Sequence, residues 1–277
     1  MMHFLRKVIY KFYHHKIRFI NYPLELVHNI LSKNLKILEL NQALKEFKIK
    51  EENFKLYKKE LLENINLKNI FTDFKDDVAK YTNYENKILN NIQYQIIYSI
   101  IRERGIKKIL TTGVAEGNQE AIILAALNKN RFGKLVSIDL QGKKGHLTYD
   151  KNLSLDEIGK KIPIEFKNRF ELILDDSRLI LPKLFKDEKF DLFIHDSNHT
   201  KIHMNLEYYI ARSFLNEDGL IFSDDILIFN NSFENFLMHN NIYGFCIKPK
   251  LNYGFISKNK KNTDEINNSL EQYYKND

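Results

Sequence analysis

Asp196, His199 and the adjacent pair Asp224 and Asp225 are the residues of this sequence best suited to chemistry. Phe190 to Asp196 reads as an apolar strand ending in an acid, and Gly219 to Asp225 as a second strand ending in two. Neighbouring strands stand about 4.8 Å apart, so these three carboxylates are expected to converge on one edge of a sheet. They would repel one another unless a cation joined them. Hard oxygen ligands without a thiolate suit Mg²⁺, with Mn²⁺ or Ca²⁺ as alternatives, and leave positions for water and substrate oxygens. His199 follows Asp196 by three residues and shares its pocket if a helix begins there. An imidazole can take the proton of a cation-bound hydroxyl, so His199 with Asp196 forms the expected catalytic pair. His195 should alternate away from Asp196 into the core, and His203 and Asn198 are supporting candidates. Plainer readings stay open here: a helix cap for Asp196, a turn for Asp224 and Asp225, a surface position for His199.

These groups need a scaffold with a ligand crevice at the carboxyl ends of its strands. An earlier strand ends in Thr111, Thr112, Gly113, Val114, Ala115, Glu116 and Gly117, where glycines let the backbone turn tightly and approach a ligand. A dinucleotide fingerprint would need a third glycine where Asn118 stands, so a nicotinamide enzyme is disfavoured. The Gly113, Ala115, Gly117 spacing fits S-adenosyl-L-methionine better, with Glu116 beside it. Asp139 closes the next strand, where a carboxylate can receive both ribose hydroxyls, and Asp176 and Ser177 close a third, where an acid can meet the adenine amino group. Each feature alone is weak; their recurrence at successive strand ends carries the reading.

The elements that would position them alternate. Strands are predicted over 107–112, 134–139, 169–174, 190–195 and 218–223, and helices over 117–128, 178–185, 200–215 and 231–240. That order implies a parallel sheet of right-handed βαβ units, with apolar runs at 243–248 and 252–257 as a terminal hairpin. Upstream, helices are predicted over 25–48, 51–64 and 85–103, the last capped by Gly105, with a lid-like loop between the last two. The predicted division is a helical extension over 1–84, a cofactor-binding domain over 85–257 and a polar tail over 258–277.

The net charge of +7 is local: Arg6, Lys7, Lys11, Lys16 and Arg18 precede the first acid, Glu25, and the rest is nearly balanced. A broad phosphate-tracking surface is therefore not expected, and nucleic acid is not an expected partner. Phe4, Leu5, Val8, Ile9, Phe12 and Ile17 interleave with those cations as an amphipathic helix, suited to docking on an anionic membrane face, to homo-oligomerisation or to packing on its own domain. Apolar stretches such as Tyr94 to Ile101 are too short to span a bilayer, and the N-terminus lacks a small-residue cleavage site. Cys246 is the single cysteine, which excludes an intrachain disulfide and fits a cytoplasmic location, peripheral to the membrane if the basic helix docks there.

Residues 106–226 resemble the metal-dependent O-methyltransferases that include the macrocin and mycinamicin sugar methyltransferases. The resemblance is carried by IPIEFKNRFELILDDSRLILPKL, FDLFIHDSNHTKIHMNLEYY and GLIFSDDI. It implies a class I, Rossmann-like, doubly wound α/β fold with a mostly parallel seven-stranded sheet. It also implies that Asp196, Asp224 and Asp225 hold magnesium and that His199 is the base. This sequence departs from the family at Thr111 and Thr112, where an acidic residue and a small or apolar one are usual, and at Asp175, where glycine is usual. The regions before 85 and after 227 match nothing in the family.

The expected function is O-methylation of a hydroxyl on a sugar or glycan precursor, since the family favours vicinal oxygens that chelate the ion. The alternatives are a non-catalytic cofactor-binding or membrane-associated scaffold of the same fold, and a related metal-assisted reaction.

Overall fold

The computed structural model describes residues 34–73, 84–140, 153–226 and 232–257. The amphipathic helix expected over 4–20 and the polar tail expected over 258–277 lie outside them.

The strands are β1 (Leu35–Leu38), β2 (Lys108–Thr112), β3 (Lys134–Asp139), β4 (Phe170–Leu174), β5 (Leu192–His195), β6 (Leu220–Ser223), β7 (Gly244–Ile247) and β8 (Lys250–Ser257). They form one sheet in the order β1-β7-β8-β6-β5-β2-β3-β4. From β6 through β4 every neighbour is parallel, whereas β8 runs antiparallel to both β6 and β7. The order reverses between β2 and β5, so the crevice must open beside Thr112 and His195, which pair in register.

Nine α-helices are described: α1 (Leu40–Glu46), α2 (Glu51–Leu62), α3 (Ile65–Asp73), α4 (Tyr84–Leu89), α5 (Ile92–Arg104), α6 (Asn118–Asn130), α7 (Ser177–Asp187), α8 (Lys201–Phe214) and α9 (Ser232–His239). Side-chain alternation sends Ile109, Ile194 and Phe222 to one face of the sheet, against Ile97, Ile122 and Phe54 of the helices there. Leu110, Phe193 and Ile221 go to the other face, against Leu181, Tyr208 and Phe236. Burial on both faces is why the parallel strands read as continuous apolar runs.

The expected sheet had seven strands; the described residues form one of eight. The difference is Leu35–Leu38, which falls in a stretch predicted to be helical and instead pairs parallel with β7, Leu35 opposite Gly244. The loop expected before residue 84 begins as α3, which buries Leu67 and Phe71 in the same core as Ile97. Residues 34–73 thus supply a strand and core side chains to the sheet domain. The helix predicted over 85–103 is two helices, because the Asn91 side chain accepts from the Gln93 amide and starts a new one. Gly105 ends it in the left-handed conformation as expected, at φ 57°. Among the described residues no helix is long and apolar enough to cross a membrane.

Candidate active site

The site is assembled where strand ends continue their ladder past the sheet. Gly113 donates its N–H to Ile138 O, Asp196 to Thr112 O and Asp224 to His195 O, each at 2.9 Å. The loops after β2, β5 and β6 therefore start side by side.

The glycine loop has three left-handed residues, Gly113 (φ 83°), Ala115 (φ 47°) and Gly117 (φ 91°). A Cβ on Gly113 would lie 1.9 Å from the Asp196 carbonyl oxygen, which explains glycine there. The Asp139 carboxylate accepts the Val114 and Ala115 amides at 2.7 and 3.0 Å, so part of its hydrogen-bonding capacity shapes this loop. Burial raises its pKa, and those amide bonds oppose the shift. Glu116 is committed elsewhere than expected: it binds Lys161 at 2.6 Å and Lys160 at 3.0 Å. Burial would raise its carboxyl, but the two ammoniums hold it below the usual range. They belong to a segment whose Gly159 and Lys161 amides donate to Ala115 O and Glu116 O at 2.9 Å, strapping it to the loop.

At the end of β4, Asp176 caps α7 by accepting the Arg178 amide at 2.9 Å, and it also pairs with the Arg178 guanidinium, which holds the carboxyl low. Its carboxylate is therefore engaged as a cap and ion pair. Ser177 is buried, with Oγ 3.1 Å from His203 Nε2.

The acids converge in part. Asp196 and Asp224 lie within hydrogen-bonding reach of one another; burial, then neighbouring carboxylates, raise both well above the usual range. Asp225, held left-handed at φ 52°, is near enough to contribute, yet its Oδ1 lies 3.4 Å from Asn252 Nδ2. Among the described residues no group of three or more His, Cys, Asp or Glu is arranged to hold a metal ion. The Asp196–Asp224 pair nevertheless has hard-oxygen chemistry and a burial penalty on its charged forms that a divalent cation would relieve. His199 Nε2 is 4.0 Å from Asp196 Oδ1. The approach is made through a loop, since α8 begins only at Lys201 and Asn198 Oδ1 accepts the Thr200 amide in the turn before it. Burial, then His195, lowers the His199 pKa to about 3, so the ring is neutral.

His195 points into the core as its alternation predicts, with Nδ1 2.6 Å from Glu207 Oε2 and Nε2 buried without a hydrogen-bond partner. Glu207 escaped the sequence reading, although it accepts from Thr112, His195, Ser197 and His203. The signal was present: His203 and Glu207 are four residues apart on a helix face shared with buried Met204, Tyr208 and Ala211.

A model of the methyltransferase domain family matches residues 110–226. No curated protein matches the chain. Among solved structures, the chain is similar to an O-methyltransferase from Bacillus cereus in complex with SAH, at 12% identity over 72% of this chain and 92% of that one, with a TM-score of 0.50. It is also similar to an SAH-bound methyltransferase from Podospora anserina, at 17% identity over 71% of this chain and 86% of that one, TM-score 0.47. A third is an O-methyltransferase from Streptomyces achromogenes involved in tomaymycin synthesis, in complex with SAM, at 14% identity over 71% of this chain and 91% of that one, TM-score 0.48. The chain thus has the Rossmann-like fold of S-adenosylmethionine-dependent O-methyltransferases, and residues 110–226 match a methyltransferase domain.

Proposed function

We propose that this protein is an S-adenosylmethionine-dependent O-methyltransferase acting on a hydroxyl of a sugar or glycan precursor, with a divalent cation, Mg²⁺ in the first instance, beside the acceptor. The observation that carries the reading is the meeting of the glycine loop with the acid-bearing strand end, Gly113 against the backbone of Asp196. On this reading the donor would bind next to Asp196, Asp224 and His199. Asp196 and Asp224 would hold the cation, with Asp225 completing the set. When bound, that cation lowers the pKa of a coordinated hydroxyl. Neutral His199 offers a lone pair to take the proton, and the glycine loop and Asp139 orient the methyl donor. A sugar is favoured because two neighbouring hydroxyls can share a hard cation, as the resemblance of the Asp196 and Asp224 segments implies.

The test is calorimetric binding of S-adenosylmethionine and S-adenosylhomocysteine, with and without Mg²⁺, to the wild type, Asp139→Ala and Asp224→Ala. Micromolar binding lost in Asp139→Ala and kept in Asp224→Ala supports separate donor and cation sites. Absence of binding to the wild type under every condition overturns the reading and favours a scaffold.

A further inference from the structure

We propose that Glu120 is the counter-charge of the donor's sulfonium, a specificity-determining carboxylate that favours S-adenosylmethionine over its neutral-sulfur product, S-adenosylhomocysteine. The inference rests on the methyltransferase reading and deepens it.

Glu120 lies in the first turn of α6, directly after the glycine loop, and is 1% exposed. Its Oε1 is 3.1 Å from Thr111 Oγ1, which is 2.7 Å from Ser137 Oγ. Thr111 pairs in register with Ser137 on one side and Ile194 on the other. Two residues beyond those partners, and on the same face by strand alternation, stand Asp139 and Asp196. Glu120 is therefore set beneath the gap between the ribose position and the acid-bearing loop. The fields agree with this placement: Asp139 raises Glu120, and Glu120 is the charged neighbour that raises Asp196 most.

A buried carboxylate is costly without a cation, and among the described residues no Lys, Arg or His acts on Glu120. Burial pushes it up to about 8, so at neutral pH the free protein holds it protonated. The hydroxyl chain suits either state. A protonated Glu120 donates to Thr111 while Thr111 donates to Ser137; an ionised one accepts from Thr111 while Ser137 donates to Thr111, each hydroxyl using its single hydrogen. What the ionised state lacks is a positive charge. With the ribose at Asp139 and the methyl group toward Asp196, the sulfonium lies between the two acids and supplies it. When the methyl leaves, the C–S electron pair stays on sulfur as an uncharged thioether, and Glu120 takes a proton back from solvent. The carboxyl thus holds the charged donor and loosens its hold on the spent product.

The test is calorimetric titration of both ligands in EDTA at about pH 6.5 and 8.5, with thermal denaturation run on every variant. In the wild type the preference for S-adenosylmethionine over S-adenosylhomocysteine should rise about tenfold across that range, because the carboxyl no longer has to shed a proton to meet the sulfonium. Titrations near pH 7 in two buffers of different ionisation enthalpy should show S-adenosylmethionine releasing about one proton more than S-adenosylhomocysteine. Glu120→Gln should hold the preference constant within about twofold and lose the extra proton. The amino and carboxyl groups of the ligands are common to both proteins and cancel in this comparison. A wild-type preference independent of pH, or an extra proton that survives in Glu120→Gln, would overturn the proposal; survival there with loss in Asp196→Asn would assign the proton to Asp196 instead. Should Glu120→Gln fail to fold, the wild-type pH dependence and proton count decide it alone. Wild-type protein that binds neither ligand removes the methyltransferase reading itself, a result distinct from binding whose preference ignores pH.

Discussion

Gly113 and Asp196 share a space that holds no side chain: a Cβ on the glycine would stand 1.9 Å from the aspartate's carbonyl oxygen. Gly113 also sits at φ 83°, where an L side chain is strained irrespective of space. Gly113→Ala should therefore push the β2 and β5 ends apart. We expect a stability loss of about 2 kcal/mol or more, combining backbone strain with the clash. Affinity for S-adenosylmethionine should fall at least tenfold, read by denaturant titration and calorimetry. Unchanged affinity would mean that the donor does not use this junction.

Asp139 tests the loop from its other side. Its Oδ2 receives the Val114 and Ala115 amides, and Ala115 is held left-handed at φ 47°. Asp139→Ala leaves both amides without their acceptor, a cost of about 1–3 kcal/mol if water does not replace it. Donor affinity should fall by roughly tenfold or more beyond what the stability change explains, whereas Asp139→Asn, which retains an acceptor oxygen, should fall less. Calorimetry on the two variants separates loop shaping from charge.

Glu120 predicts a pH signature. It is buried at the start of α6, with Oε1 3.1 Å from Thr111 Oγ1, and burial pushes its pKa up to about 8. A carboxyl raised in the folded state favours folding while protonated in both states, below its unfolded pKa of about 4.3. That contribution is lost as pH rises through about 8. Glu120→Gln should remove this dependence. The melting temperature of the variant minus that of the wild type should therefore grow from pH 5 to pH 9; a flat difference would show that the Glu120 carboxyl does not titrate abnormally.

The parts legible in the sequence are those where a local pattern and the tertiary structure agree. The β5 and β6 ends stood out because apolar runs buried on both sheet faces stop abruptly at Asp196 and Asp224. Gly105 and Gly113 were readable for the same reason, each marking a turn that a side chain would strain. Leu35–Leu38 was hidden: four apolar-rich residues fit helix and strand periods equally, and only pairing with the distant β7 decides between them. The partners of Glu116 were equally out of reach, since Lys160 and Lys161 lie more than forty residues along the chain. Glu207 was overlooked because a charged residue on an amphipathic helix is ordinarily solvent-facing.

Asp224 should show a trade between function and stability. Burial raises both it and Asp196, and Asp196 and Asp225 raise Asp224 further, so in the absence of a cation the ionised form of Asp224 is disfavoured beside its neighbours. Asp224→Asn removes one charge yet retains an Oδ1 able to accept the Asp225 amide, which meets that atom at 2.6 Å. In EDTA the variant should therefore melt higher than the wild type, by about 2 °C or more if the relief is near 1 kcal/mol. Saturating Mg²⁺ should stabilise the wild type and leave the variant almost unmoved, because mass action stabilises only a protein that binds the ion. Methyl transfer, once an acceptor is in hand, should fall at least a hundredfold in the variant, as expected for loss of a ligand that positions the reacting oxygen. A lower melting temperature in EDTA would mean instead that the Asp224 carboxylate is a structural acceptor for the β6 turn, and the cation would then have to be sought at another set of oxygens.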